Sequence, residues 1–343
     1  MKIGSFIFLL LFVAFALLMI ILYRIVIRPL SLIQKDVGIF ENEKDSKMVL
    51  PDLEKIVKVP NEIGSLAFGV SNMICAIDKY VEEVRTVTAE KERISTELSL
   101  ATKIQKDSLP NIFPAFPERK EFDIYATMIP AKEVGGDFYD FFFIDDDHLC
   151  LLMADVSGKG VPAALFMMTA KIILADNARL GNSPAKILED TNTAICAKNR
   201  EKMFVTVWLG ILEVSTGKLT AANAGHEYPI IRHKGGSFEL FKDKHGVVVG
   251  SFAGIKYKDY ELLLEPGSKF FMYTDGVPEA KDKDGRMFGL ERTVEALNDN
   301  DSVSRTPEQI LASVHKAVDG FVKGAEQFDD LTMLCLEYKS SKV

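Results

Sequence analysis

The sequence predicts an α+β protein whose catalytic domain is an α/β/β/α sandwich, made of antiparallel sheets packed face to face with helix pairs outside. Short strand-like runs cluster from Phe122 onward, whereas a doubly wound parallel sheet would show regular alternation of strands and helices. A long apolar segment and a heptad pattern precede these runs. The chain is therefore predicted to join a membrane anchor, a helical stalk and one catalytic domain.

The first segment is apolar and long enough to cross a bilayer. No charged residue occurs in the range 3–23, and such a stretch forms a helix about 31 Å long. No small-residue cleavage site follows it, which favours an uncleaved anchor over a signal peptide. Arg24 and Arg28 follow the apolar run and only Lys2 precedes it, so the C-terminal side is predicted to be cytoplasmic. We expect residues 1–23 to be a single-pass transmembrane helix in the cell (inner) membrane.

The segment after this anchor resembles a HAMP signalling module. The resemblance covers about residues 24–80 and rests on three features: Arg28-Pro29-Leu30, a polar connector from about Glu41 to Pro60, and Asn61-Glu62-Ile63-Gly64-Ser65-Leu66. A HAMP module is a parallel four-helix bundle built by two chains. The resemblance therefore implies a homodimer that switches between two packings.

An alternation of three- and four-residue spacings predicts a left-handed coiled coil, and hence at least two chains side by side. The positions of this pattern are Ile63, Leu66, Val70, Met73, Ile77, Tyr80, Val84, Val87, Lys91, Ile94, Leu98 and Ala101, of which only Lys91 is charged. A long helix packed on its own domain is the alternative. Pro110 ends the helix, so we place a coiled-coil linker at 81–110.

The charge balance and the cysteines limit the classes of function. Forty-one basic and forty-nine acidic residues give a net charge of −8. A surface that neutralises nucleic-acid phosphates needs an excess of basic residues, so we expect no nucleic-acid partner. The four cysteines form no CxxC pair and lie apart in mostly apolar runs. This usage is typical of reduced thiols in the cytosol.

The catalytic part, predicted at 119–340, alternates turn signals with short apolar runs. The predicted strands are 122–129, 149–156, 204–213, 218–222, 260–264 and 269–273, with a last strand after Asp330. The predicted helices are 161–179, 184–198, 290–297 and 307–323. Strands outnumber helices, which favours the sandwich of sheets.

Aspartates stand at the ends of these strands, most of them beside glycine. They are Asp137, Asp155, Asp275 and the pair Asp329-Asp330. An unpaired carboxylate buried at a strand end would be destabilising, and Mg²⁺ and Mn²⁺ are bound by carboxylate and carbonyl oxygens. Any single one of these residues is equally explained as an ordinary turn aspartate. Together they predict a cluster around divalent cations.

The segments around these aspartates resemble the SpoIIE-like bacterial branch of the protein phosphatase 2C, or PPM, family. The resemblance covers about Glu121 to Tyr338. The segments that carry it are Glu133-Val134-Gly135-Gly136-Asp137-Phe138-Tyr139-Asp140, Asp155-Val156-Ser157-Gly158-Lys159-Gly160-Val161-Pro162-Ala163, Asn223-Ala224-Gly225-His226, Tyr273-Thr274-Asp275-Gly276-Val277 and Asp329-Asp330-Leu331-Thr332.

The resemblance implies a site with two divalent cations, Mn²⁺ or Mg²⁺. Asp155 would bridge both ions and Val156 would offer its backbone carbonyl. Asp275 and Asp329 would complete the coordination of one ion, while Asp137 would belong to the metal site and orient metal-bound water. Asp330 is a weaker candidate ligand.

Other residues complete the implied site. Lys132 stands where eukaryotic relatives carry a phosphate-binding arginine, although a solvated surface lysine is the plain alternative. The histidine proposed as general acid in those relatives has no counterpart near Asp137 or Asp155. His226 is more readily explained as a structural histidine, so the proton donor is unassigned.

The implied activity is hydrolysis of phosphoserine or phosphothreonine by a metal-activated water, and the branch usually acts on a phosphorylated STAS-domain anti-sigma-factor antagonist. The alternative is a catalytically silent dimeric signalling scaffold of the same fold. A diguanylate cyclase is disfavoured because Asp137 is followed directly by aromatic residues. A histidine kinase is disfavoured because no histidine precedes His148.

Overall fold

The computed structural model describes residues 2–299 and 304–339. Met1 and residue 340, which are the predicted ends of the anchor and of the catalytic domain, lie outside these ranges. The chain divides into two compact units, Met1–Ser95 and Thr96–Val343.

The first unit is helical. Its elements are α1 (Lys2–Leu22), a π-helical segment (Tyr23–Ile27), α2 (Arg28–Glu43), α3 (Ser46–Val57) and the first part of α4 (Glu62–Ser108). Residues Gly4–Glu43 form a continuous helical stretch that is long and apolar enough to cross a membrane, by length and composition alone. This stretch is a candidate membrane span and agrees with the predicted anchor.

The predicted polar connector from about Glu41 to Pro60 contains a helix, α3, which the sequence analysis missed. Its apolar face packs against α2 and α4 because apolar side chains recur at helical spacing. The buried residues of this small core are Ile33, Val49, Leu53, Ile56, Ala67 and Ile74. Asn61 caps α4, since its side-chain oxygen accepts hydrogen bonds from the backbone N–H groups of Ile63 and Gly64.

Most of the heptad positions on α4 do not belong to this core. The exposed members are Leu66, Met73, Ile77, Tyr80, Val84, Val87 and Ile94. A stripe of large apolar side chains on one helix is typical of a surface that another helix covers.

The second unit contains two five-stranded sheets. The first has the order β1 (Phe122–Ile129), β10 (Leu331–Tyr338), β9 (Lys269–Tyr273), β6 (Ile230–Arg232) and β7 (Phe238–Leu240). The second has the order β2 (Phe138–Phe143), β3 (His148–Val156), β4 (Val205–Glu213), β5 (Lys218–Ala224) and β8 (Tyr260–Leu263). All of these pairings are antiparallel.

Helices cover the outer faces of both sheets. The pair α5 (Val161–Ala178) and α6 (Pro184–Cys196) packs on the second sheet, and the pair α7 (Gly289–Asn298) and α8 (Pro307–Val322) lies on the first. The main core lies between the sheets and includes Trp208 of one and Phe270 of the other, whose rings are 5.1 Å apart. The structure therefore confirms the predicted α/β/β/α sandwich.

Strands missed by the sequence analysis are those without period-two alternation or with very few residues. β2 is the continuous aromatic run Phe-Tyr-Asp-Phe-Phe-Phe, and β6 and β7 have three residues each. The predicted strand at 122–129 has the same bounds in the structure, because burial alternates through most of it.

Gly210 in β4 is required by a close contact within the sandwich. A Cβ added at Gly210 would lie 2.3 Å from Cη2 of Trp208, which is itself fully buried. The indole Nε1–H of Trp208 donates a 2.7 Å hydrogen bond to the hydroxyl of Tyr260, so the ring cannot move aside without losing it.

We therefore expect Gly210→Ala to lower the free energy of unfolding by about 1–3 kcal/mol through overpacking. Chemical denaturation of the purified chain would measure this. The matched control is Gly320→Ala in α8, where an added Cβ meets no heavy atom within 4 Å. That change should instead stabilise by about 0.5–1 kcal/mol through helix propensity. Equal stability of the Gly210→Ala variant and the unchanged chain would contradict this packing.

Candidate metal centre

Antiparallel pairing brings the strand-end aspartates to one end of the sandwich. In the second sheet, Phe138 at the start of β2 pairs with Ala154, so Asp137 and Asp155 stand at the same edge. In the first sheet, Met333 of β10 pairs with Tyr273, so the turn after β9 adjoins the start of β10. Asp275 and Asp329 occupy these two positions.

Thr274 links the two sheets at this edge. Its hydroxyl donates a 2.6 Å hydrogen bond to Oδ2 of Asp137 and accepts a 3.2 Å hydrogen bond from the backbone N–H of Thr332. Thr274 and Asp137 are both buried. The carboxylate of Asp137 is therefore held in one orientation from the opposite sheet.

The carboxylates perturb one another because they are close and partly buried. Burial raises the pKa of Asp137 well above its usual value, and the negative charges of Asp155 and Asp330 raise it further. Burial, followed by the charge of Asp275, raises the pKa of Asp155 to about 7. Burial and the charge of Asp329 raise the pKa of Asp275 to about 6.

Asp330 has a different role from its neighbours. Its Oδ1 accepts a 2.8 Å hydrogen bond from the backbone N–H of Ala131, and its Oδ2 accepts a 2.6 Å bond from that of Gly136. Both oxygens are thus used to hold the loop before Asp137. The weaker candidacy of Asp330 as a ligand is explained by this structural role.

The glycines beside the aspartates allow close approach of backbone. A Cβ added at Gly276 would lie 1.8 Å from the carbonyl oxygen of Asp330, and one added at Gly135 would lie 2.3 Å from Oδ2 of Asp330. The carbonyl oxygen of Val156 lies 3.0 Å from the Cβ position of Gly136. This carbonyl therefore faces the loop that carries Asp137.

The donor set has the chemistry that Mg²⁺ and Mn²⁺ prefer, since it offers carboxylates and a backbone carbonyl. Within residues 2–299 and 304–339, no group of three or more His, Cys, Asp or Glu side chains is arranged to hold a metal ion as it stands. The ammonium group of Lys159 already neutralises part of the cluster, because its Nζ lies 2.7 Å from Oδ2 of Asp329. Clustered carboxylates with an ammonium group among them fit a cation site.

Several residues at this edge were not identified by the sequence analysis. Lys159 lies in the quoted segment after Asp155, and it also donates a 2.5 Å hydrogen bond to the carbonyl of Phe328. Glu227 and Glu279 are close enough to Asp275 for their charges to raise its pKa further. Neither residue is an aspartate beside a glycine, so the pattern that found the aspartates could not find them.

Two other predicted residues lie in contrasting surroundings. Lys132 is exposed, so a role in phosphate binding stays a prediction. His226 is buried, and its Nδ1 is 2.9 Å from the hydroxyl of Thr206. Burial lowers the pKa of His226 to about 3, so the ring is neutral, in agreement with a structural histidine rather than an acid.

Comparisons with known proteins agree with this geometry. Residues 145–339 match the family described as Stage II sporulation protein E (SpoIIE). The chain is 30% identical over 284 residues to Protein IcfG of Synechocystis sp., covering 74% of this chain and 44% of that protein. It is 28% identical over 204 residues to Phosphoserine phosphatase RsbU of Bacillus subtilis, covering 60% of each. The match thus spans about half the length of these relatives.

Solved structures show the same fold. The SiaA-PP2C domain of Pseudomonas aeruginosa superposes with a TM-score of 0.63 at 23% identity, covering 73% of this chain and 98% of that chain. At this identity the likeness establishes the fold alone, which is that of PP2C phosphatase domains.

Repulsion among the carboxylates should limit the stability of the metal-free chain. Because the pKa of Asp155 is higher in the folded than in the unfolded chain, its ionisation destabilises the fold as pH rises from about 4 toward 7. Asp155→Asn should therefore stabilise the chelator-treated protein at pH 8 by about 1–3 kcal/mol, and much less at pH 4.

Thermal unfolding at the two pH values would measure this difference. Asp146→Asn, at an exposed position, is the control and should change neither value. A melting temperature for Asp155→Asn at or below that of the unchanged chain at pH 8 would contradict the repulsion.

Proposed function

Because this chain belongs to the SpoIIE family, we propose that it is a divalent-cation-dependent protein serine/threonine phosphatase attached to the cell membrane by its N-terminal helix. The observation that carries the proposal is the meeting of acidic side chains from both sheets at one edge of the sandwich, with mutually raised pKa values. Perturbed carboxylates clustered in this way are typical of a catalytic metal site.

The residues proposed to hold the cations are Asp137, Asp155, Asp275, Asp329 and the backbone carbonyl of Val156. Two Mn²⁺ or Mg²⁺ ions, when bound, would supply an activated water and neutralise charge on the phosphoryl group. Lys159 would leave Asp329 as the cations enter, because both compete for the same carboxylate.

Asp137 is proposed to orient the attacking water. Its carboxylate is buried, and one of its oxygens already accepts a hydrogen bond from the hydroxyl of Thr274. The exposed ammonium group of Lys132 is proposed to bind the phosphate of the substrate as a point charge.

A phosphatase mechanism with a cysteine nucleophile is not supported by the thiols of the catalytic unit. Cys150 and Cys335 are fully buried in the sheets. Burial raises the pKa of Cys335 to about 12, and the thiolate is the reactive form. Burial also raises the pKa of Cys150 and that of the half-buried Cys196.

The proposed substrate is a phosphorylated STAS-domain protein, an anti-sigma-factor antagonist. Support comes from the family resemblance and from the similarity to a protein described as a phosphoserine phosphatase, RsbU. A phosphorylated protein would reach the cluster from the cytoplasmic side, where the positive-inside pattern of Arg24 and Arg28 predicts the catalytic unit to lie.

A phosphatase assay tests the proposal. The purified chain should release phosphate from p-nitrophenyl phosphate and from candidate phospho-STAS proteins only when Mn²⁺ or Mg²⁺ is present. Asp155→Ala should lower turnover by roughly 100-fold or more, because it removes a shared ligand. The surface variant Asp146→Asn should keep full activity.

The absence of divalent-dependent turnover on every one of these substrates would favour the catalytically silent scaffold. In that case the acidic cluster would serve a structural or partner-binding role.

Regulation is proposed to pass through a dimeric stalk. The exposed apolar stripe on α4 supports pairing with the same stripe of a second copy, since its heptad spacing matches the coiled-coil repeat. α4 is one continuous helix from Glu62 to Ser108, so a rotation of the paired stalk would be carried along it.

Inserting one residue after Thr88 should change phosphatase activity at least severalfold, because it turns the following helix by about 100° relative to the paired stripe. A seven-residue insertion at the same point is the control, since it restores the heptad register, and it should return activity to within about twofold of the original. Assays of both variants in detergent would check this. If the two insertions behaved alike, coupling through the helix would be wrong.

A further inference from the structure

The C-terminal turns of α4 are hydrogen-bonded to the loop that carries Asp137. The side-chain amide of Gln105 forms two hydrogen bonds with the backbone of Gly135. Its Nε2 donates to the Gly135 carbonyl at 2.7 Å, and its Oε1 accepts from the Gly135 N–H at 3.0 Å. Gln105 is only 5% exposed. One turn earlier, the hydroxyl of Thr102 donates a 2.5 Å hydrogen bond to the carbonyl of Glu133.

This pairing satisfies backbone groups that have no regular secondary structure to pair with. The segment before Asp137 is irregular from Ala131 onward and is not part of a strand until Phe138. A buried peptide group without a partner destabilises the conformation that buries it. The amide of Gln105 therefore favours the conformation in which Gly135 is buried.

The loop is held from two directions by contacts at Gly135 and Gly136. Asp137 follows these glycines and directly precedes β2. Gln105 binds Gly135 from α4, whereas Asp330 accepts the hydrogen bond of Gly136 from the start of β10. Gly135 is confined between them, since an added Cβ would meet both Oδ2 of Asp330 and the methyl group of Met128. Asp137 lies within two residues of these contacts, so a shift of Gln105 or Asp330 would also move Asp137.

Open space lies beside α4 at this point. A cavity of about 470 Å³ lies beside the contact, lined by Gln105, Leu109 and Met128 among others. Beyond it the chain is fixed again, because the hydroxyl of Tyr139 donates a 2.8 Å hydrogen bond to the carbonyl of Pro110. The helix is thus anchored at its end and has open space beside the turn that carries Gln105.

We propose that Gln105 is a positioning residue that holds the Asp137 loop in its metal-binding arrangement, so that displacement of α4 lowers the affinity of the site for divalent cations. The consequence for cations rests on the proposed function. The effect on the loop itself does not, because it depends only on hydrogen bonds within the metal-free chain.

The test compares Gln105→Met with the unchanged full chain in detergent. Methionine keeps the length and apolar volume of the side chain but removes both hydrogen bonds. The backbone amides from Gly135 to Asp137 should then exchange hydrogen about tenfold faster in the metal-free chain, as expected when a hydrogen-bonded contact is lost. Calorimetric titration with MnCl₂ should give a dissociation constant that is weaker by a similar factor.

Further variants separate positioning from general packing. Gln105→Glu keeps the acceptor for the Gly135 N–H but sets a carboxylate oxygen against the Gly135 carbonyl, so it should have at least as large an effect and serves where the methionine variant is unstable. Lys103→Ala, at an exposed position in the same turn, should leave exchange and Mn²⁺ affinity unchanged.

Unchanged exchange at Gly135 to Asp137 together with unchanged Mn²⁺ affinity in both Gln105 variants would overturn the proposal, even in an active phosphatase. Faster exchange and weaker Mn²⁺ binding in a chain that hydrolyses no phosphoprotein would support it and count against the proposed function instead. Faster exchange with unchanged Mn²⁺ affinity would also overturn it, since the loop would then be irrelevant to the cations.

Discussion

Folding brings acidic side chains of this domain together at one partly buried edge of the sandwich. The remaining features of that edge follow from this constraint. The two sheets bury a shared apolar core, and antiparallel pairing fixes which strand ends meet. Asp137, Asp155 and Asp275 therefore cannot separate without breaking register. Their pKa values rise because burial and mutual repulsion act together, and divalent cations would relieve both effects. Stability of the metal-free fold and readiness to bind cations are thus opposed at the same residues.

Adjacent aspartates divide the work at this edge. Asp329 faces the cluster and pairs with Lys159, while Asp330 accepts hydrogen bonds from the backbone of Ala131 and Gly136. A carboxylate that accepts several backbone N–H groups is stabilised in its charged form without a cation. Asp330 therefore fixes the loop that supplies Asp137, whereas Asp329 is the member of the pair that we propose as a metal ligand.

The sequence predicted those parts of the molecule that are governed by local pattern. Strand β1 and helix α8 are recognisable because their apolar residues recur at the period of the element, and the aspartates are recognisable because each adjoins an apolar run. Strand β2 was missed because its run of aromatic residues, interrupted only by Asp140, shows no alternation of apolar and polar residues. The contact of Gln105 with Gly135 was invisible for another reason: it joins residues 30 positions apart, and a glutamine near a helix end is ordinary as a surface residue.

The two partners of the Asp137 loop differ in how easily they can move. Asp330 directly precedes β10, which is paired on both sides by β1 and β9, so displacing it would disrupt ladders in the middle of a sheet. Gln105 lies on α4, which holds no strand in register, and a cavity lies beside this residue. Withdrawing Gln105 breaks hydrogen bonds to one glycine but leaves every strand in register. The loop is therefore adjustable from the helix and fixed from the sheet. A displacement of the Gly135 backbone can alter the position of Asp137 while the other carboxylates keep theirs. A continuous helix is suited to cause such a displacement.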